Sequence, residues 1–221
     1  MQRNNLLFLL IFLAGVALIG VYYVSTLPDP EAVVTPPVDP EKPDEPVAGA
    51  VEGDEPGPYL AIKVAGVANG TITIDLFEQN APGHVAQITG LAKDGKYDGV
   101  VFHRVIKDFM AQTGDVEFGR VGEDMRRAGM GGSDLPDLAA EFSEIPFDRG
   151  IVGMARSQDP DSANSQFFIM FDAGYFLNGK YTVVGKVTEG LDILDAIKLG
   201  EGQNGAVIGA PDQMKSVTVT R

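Results

Sequence analysis

From Tyr59 onward the chain alternates apolar and polar residues with a period of two: Leu60, Ile62 and Val64, then Asn69-Gly70, then Ile72, Ile74 and Leu76. Only an extended strand sends every second side chain to the same face. Asn-Gly between two such runs signals a hairpin, because both residues accept the backbone angles of a tight turn. Pro82 fits the first turn of a helix that carries Val85, Ile88 and Leu91 along one side. Strand-like runs follow over residues 100–105, 109–113, 150–155, 166–171, 182–187 and 216–220, with a second short helix near 191–199. About eight strands and two helices, separated by glycine-containing turns, predict a mainly β fold: a closed eight-stranded antiparallel β-barrel with two helices over residues 58–221.

The part before Tyr59 has a different physical character. Residues 6–24 carry no charge for 19 positions, about the length a helix needs to cross roughly 30 Å of hydrocarbon. Arg3 precedes this run, Tyr22 and Tyr23 close it, and acidic residues follow. The positive-inside tendency therefore predicts a single-pass anchor with residues 1–24 forming a cytoplasmic stub and transmembrane helix, and with everything after it outside the cytoplasmic membrane. A cleaved signal peptide is the competing reading, but the run is long for one and no clean small-x-small site follows. Residues 25–57 hold Pro28, Pro30, Pro36, Pro37, Pro40, Pro43, Pro46 and Pro56 among nine acidic residues, with Lys42 the single cation. Such a segment buries too little apolar surface to offset its ordering entropy. It is expected to be an extended, disordered tether reaching at most about 100 Å at about 3.1 Å per residue.

A formal net charge of −14 argues against nucleic acid, whose binding depends on Lys and Arg neutralising phosphates. The absence of cysteine removes disulfides, thiolate nucleophiles and cysteine-based metal sites.

The chemistry concentrates in Phe102-His103-Arg104-Val105-Ile106-Lys107-Asp108-Phe109-Met110-Ala111-Gln112-Thr113-Gly114-Asp115, where one arginine is followed by Phe, Met and Gln on strand-like spacings. Ser165-Gln166-Phe167-Phe168-Ile169 would place Gln166 and Phe168 on one face and turn Phe167 to the other. With Phe176-Leu177-Asn178-Gly179-Lys180-Tyr181-Thr182-Val183-Val184-Gly185-Lys186-Val187, these ordered runs resemble the cyclophilin family. The resemblance covers most of residues 59–221 and implies the same barrel, together with peptidyl-prolyl cis-trans isomerase activity on proline-containing polypeptides, without metal or cofactor. A monomer is expected. A non-catalytic proline-peptide-binding chaperone or assembly module is the alternative.

By that resemblance Arg104 is the catalytic donor, and Phe109, Met110, Phe168 and Leu177 line the pocket for the proline ring. Gln112 and Gln166 would bond the substrate backbone or orient Arg104, while Gly131, Ala155 and Arg156 would border the groove. His103 is expected in the groove or supporting it, because rotation about an amide transfers no proton. Phe176 stands where many members carry tryptophan, and Tyr181 where they carry histidine. Arg156 replaces an asparagine common at this point and is expected to favour acidic or carbonyl-rich peptides. A triad of His103, Ser157 and Asp159 lacks the nucleophile elbow of known hydrolases. His84 reads as structural.

Overall fold

The structure is a computed structural model that describes residues 57–221. The expected membrane span over 6–24 and nearly all of the tether over 25–57 lie outside the described residues. Among the described residues no helix is long and apolar enough to cross a membrane.

Period-two patterning does build a hairpin, from β1 (Tyr59–Ala65) and β2 (Gly70–Leu76), with Ile62 opposite Ile72 and Leu60 opposite Ile74. Its loop is wider than a two-residue Asn-Gly turn. Residues 66–69 bridge the strands, Asn69 donates its side-chain amide to the Gly66 carbonyl at 2.8 Å, and the Ala68 N–H donates to the Asp212 carboxylate at 2.9 Å. Helix α1 (Pro82–Lys93) follows and buries Val85, Ile88 and Leu91, as its apolar stripe requires. Glu141 reaches its first turn, accepting from the N–H groups of Gly83 and His84 at 3.1 Å each and pairing with His84 Nδ1 at 2.6 Å. Burial alone would raise the Glu141 carboxyl, yet these bonds together hold it below the ordinary glutamate value. His84, fully buried, is part of the helix seat.

The remaining strands are β3 (Val100–Val101), β4 (Arg104–Ile106), β5 (Met110–Thr113), β6 (Ile151–Met154), β7 (Phe167–Met170), β8 (Val183–Glu189) and β9 (Gln213–Thr220), with α2 (Leu191–Asp195) between the last two. All pair antiparallel in one sheet of order β3-β9-β1-β2-β8-β6-β7-β5-β4. The sheet is a curled half-barrel of nine strands, not the closed eight-stranded barrel expected. The single strand anticipated over 100–105 breaks at Phe102-His103, where the Phe102 N–H donates to the Asp212 carbonyl at 2.9 Å and the Val207 N–H donates to the His103 carbonyl at 3.0 Å. These bonds to the segment before β9 replace ladder pairing, so β3 and β4 end the sheet on either side of a seam. Helix α2 is also shorter than expected, stopping at Asp195.

Alternation divides the apolar residues between two clusters. The main core takes Ala111, Val152, Phe167 and Ile169 with the α1 stripe and the β1–β2 face. A second cluster on the other face takes Met110, Ile151, Phe168 and Met170, with Phe147 and Leu177. Full burial of each such side chain stabilises by about 1.5–3 kcal/mol. The second cluster is the floor of the candidate site.

Candidate active site

Three neighbouring strands, β4, β5 and β7, set the polar line of the site. Arg104 lies directly across from Gln112, and Gln112 across from Phe168. Directly opposed side chains lie on the same face. Arg104 Nη1 donates to Gln112 Oε1 at 3.1 Å, Gln112 Nε2 donates to Gln166 Oε1 at 2.9 Å, and Gln166 Nε2 donates to the Gly131 carbonyl at 2.7 Å. Arg104 Nε donates to the Asn204 carbonyl at 2.9 Å. Burial pulls the guanidinium somewhat below its ordinary value, which leaves it charged at neutral pH.

Beside Arg104 opens a cavity of about 290 Å³. Met110, Phe168 and Leu177 form its buried floor, and Phe109 and Phe176 form its lip, their ring centroids 5.5 Å apart. Phe168 is held on two sides, stacked on Phe147 at 5.8 Å and edge-on to Tyr181 at 5.9 Å. Glycine is required at position 153, opposite Phe168, because a Cβ there would come within 2.6 Å of both the Phe168 and Phe147 rings. Phe176 is 64% exposed, which suits a lip better than a wall.

A second cavity of about 400 Å³ adjoins the first and shares Gln112, Ala155 and Arg156 with it. Gly131 and Gln166 line this second space. Arg156 sits at the boundary, but its guanidinium is already engaged. It lies 4.4 Å from the Tyr181 ring centroid, Nε and Nη2 donate to the Lys180 carbonyl, and Nη1 donates to the carbonyls of Ser157 and Gln158. Arg156 thus borders the groove, where the sequence put a rim cation, and at the same time braces two loops.

His103 lines neither cavity. It is packed behind Gly129, where burial pulls its pKa down to about 4, with Asp115 and the Val101 carbonyl opposing that shift in part. Of the two places expected for it, in the groove or supporting it, the ring takes a place under the groove, against Gly129 of the second cavity. Ser157 Oγ pairs with Ser162 Oγ at 2.7 Å, and no contact joins it to His103. The triad is not assembled.

Asp115, beneath the site, was among the residues given no role by sequence reasoning. Asp115 is fully buried, and its carboxylate accepts from the N–H groups of Glu117 and Phe118 on one oxygen and of Gly129 and Gly131 on the other, at 2.7–3.1 Å. It thereby fixes the loop whose Gly131 carbonyl orients Gln166. The Gly-rich 129–132 cluster was the available signal, since bare backbone amides close together need an acceptor.

The fold and site together are a half-barrel sheet that holds a guanidinium beside a small aromatic pocket. The family model described as cyclophilin type peptidyl-prolyl cis-trans isomerase/CLD matches residues 59–219. A probable peptidyl-prolyl cis-trans isomerase of Brucella suis biovar 1 is 60% identical over 154 residues, covering 68% of this chain and 78% of that one. The isomerase cyp18 of Streptomyces antibioticus is 36% identical over 147 residues, covering 58% and 78%. Among solved structures, the cyclophilin AquaCyp293 of Hirschia baltica aligns with a TM-score of 0.60 at 28% identity, covering 75% of this chain and 74% of that one. A cyclophilin type isomerase of Cryptosporidium parvum, crystallised in the presence of the dipeptide Ala-Pro, aligns with a TM-score of 0.61 at 25% identity, covering 74% and 99%. The chain belongs to the cyclophilin-type peptidyl-prolyl cis-trans isomerases.

Proposed function

We propose that Arg104 is the catalytic group of this isomerase and that the cavity floored by Met110, Phe168 and Leu177 receives the proline ring. The observation that carries the reading is the direction of the polar line, in which Gln112 presents its oxygen to Arg104 and so holds the guanidinium at the cavity mouth. The barrier to X–Pro rotation is near 20 kcal/mol and arises mostly from amide resonance. In the twisted transition state the prolyl nitrogen regains its lone pair and accepts a hydrogen bond better than in either ground state. A fixed donor aimed at it therefore lowers the barrier selectively. Bringing tens of seconds down to milliseconds requires about 5–7 kcal/mol, which one charged hydrogen bond with desolvation and positioning can supply.

The same reading places the enzyme on the outer side of the cytoplasmic membrane as a tethered, monomeric folding assistant. The uncharged run at 6–24, the preceding Arg3 and the acidic Pro-rich 25–57 segment support it.

An exchange assay of X–Pro isomerisation by residues 57–221, run beside Arg104→Ala, tests the catalytic part. Loss of about a hundredfold or more in kcat/KM is expected, comparable to removing an oxyanion donor; undiminished turnover would reject Arg104. For the location, a reporter active only outside the cytoplasm, fused after Arg221, should be active, and activity of a cytoplasm-restricted reporter instead would overturn the topology.

A further inference from the structure

We propose that Asn204 is a positioning residue for the isomerase: its backbone carbonyl, presented by a left-handed turn seated on the edge of β4, fixes the Arg104 guanidinium that Gln112 alone would leave free to swing. The inference rests on the reading of Arg104 as the catalytic group.

A guanidinium ends a long stem with several free torsions, and one hydrogen bond restrains it about a single axis. Gln112 supplies that one bond, at Nη1. The second comes from 100 residues further along the chain, where the Asn204 carbonyl accepts from Nε at 2.9 Å. Two bonds to different nitrogens define the plane of the group. Three of its five N–H groups are left for substrate. Both acceptors are neutral, so the positive charge is oriented without being neutralised, as a carboxylate in either place would do.

The carbonyl reaches Arg104 because of the local backbone. Asn204 has φ 56° and ψ 26°, one of two non-glycine residues with positive φ among the described residues. Asparagine tolerates this region, whereas β-branched residues do not. Gly205 follows with φ 79°, so close to β4 that a Cβ would stand 2.4 Å from Ile106 Cγ1. The turn is pinned at both ends: the Gly200 N–H donates to the Val105 carbonyl at 2.9 Å and the Val207 N–H to the His103 carbonyl at 3.0 Å, with Ala206 bridged to Arg104. A sparsely populated conformation, held by contacts on both sides and aimed at a reactive group, is the arrangement expected where backbone strain serves positioning.

The test uses the full-length chain in detergent micelles, with kcat and KM for an X–Pro peptide measured separately. Asn204→Gly keeps the backbone angles and the carbonyl, and is expected to stay within about twofold of the parent. Asn204→Val misfits the left-handed region and is expected to lower kcat about ten- to a hundredfold, the scale of a 1 Å misplacement, with KM little changed. In an Arg104→Ala background Asn204→Val should cause no further loss. The Arg104 Nε–H resonance should be protected from exchange in the parent and in Asn204→Gly, and exposed in Asn204→Val. Should Asn204→Val fail to fold, Asn204→Ala, a milder misfit, is read by the same resonance and the same kcat. Parental kcat in the misfit variant, equal loss in Asn204→Gly, or multiplicative losses in the double variant would each overturn the proposal. Full activity of Arg104→Ala would reject the catalytic reading itself, a result separable from parental activity of Asn204→Val with an inactive Arg104→Ala.

Discussion

Gln112 and Gln166 face each other head to tail, the Nε2 of the first donating to the Oε1 of the second at 2.9 Å. That single bond sets the direction of the whole line, since Gln112 must then offer its oxygen to Arg104 and Gln166 its nitrogen to the Gly131 carbonyl. Gln112→Glu therefore conflicts with the line although it is nearly isosteric. A glutamate at 112 pairs more strongly with Arg104 but cannot donate to Gln166, and turning Gln166 over would set its oxygen against the Gly131 carbonyl. Its charge also offsets the guanidinium. The expected outcome is a fall of about tenfold or more in kcat/KM, corresponding to the ~1–3 kcal/mol of an unsatisfied polar group. Steady-state turnover of Gln112→Glu beside Gln112→Leu checks it, and parental turnover by the glutamate variant would contradict the directional account.

Asp115 acts at the other end of the same line. Asp115→Asn keeps one acceptor oxygen where four N–H groups converge, so it leaves about two of them short of a partner. A stability loss of about 2–3 kcal/mol is expected, measured by denaturant unfolding. Amide exchange should speed up at Gly129 and Gly131 ahead of the β1–β2 hairpin. Uniform acceleration across the domain would mean that Asp115 is a general core residue and does not act through this loop.

Parity along strands made much of the site readable. Phe167 and Phe168 are neighbours of the same type, yet period two alone assigns one to the main core and the other to the pocket floor, and the structure places them so. The hairpin and the α1 stripe were legible for the same reason. Features set by contacts distant in sequence were not. The run from Val100 to Val105 reads as one strand although it contains His103 and Arg104, and its break at Phe102-His103 goes with bonds to Asp212 and Val207, more than a hundred residues away. Asp115 finds its amides 14 and 16 residues downstream, and Arg104 finds its second acceptor at Asn204. Local pattern reports which face a residue takes, while its partner depends on how the sheet curls.

His103 gives the domain an acid sensitivity of defined sign. Burial holds its folded-state pKa down to about 4, against about 6.5 for an unfolded histidine. Between those values the unfolded chain binds the extra proton, so the stabilising difference is fully present above about pH 6.5 and is lost as pH falls toward 4. The total is of the order of 3 kcal/mol, at about 1.4 kcal/mol per pKa unit. Carboxylates titrate in part of the same window, so the measurement is the difference between parent and His103→Gln in unfolding free energy at pH 7 and pH 4.5. The variant should lose less stability on acidification, and parallel losses would remove His103 as the cause.

Arg156 presents a different case, a rim cation that lines both cavities while its guanidinium also braces the wall behind it. Its stacking on Tyr181 and its bonds to the carbonyls of Ser157, Gln158 and Lys180 engage four of its five N–H groups. Arg156→Ala should therefore slow peptides with acidic and with basic flanks by similar factors, about three- to tenfold, because what it removes is support for Tyr181 and hence for Phe168. Arg156→Lys should do nearly as badly, since an ammonium neither forks between two loops nor covers a ring as a planar guanidinium does. Loss confined to acidic peptides, with Lys restoring it, would show that the cation is read by substrate and that the brace is incidental.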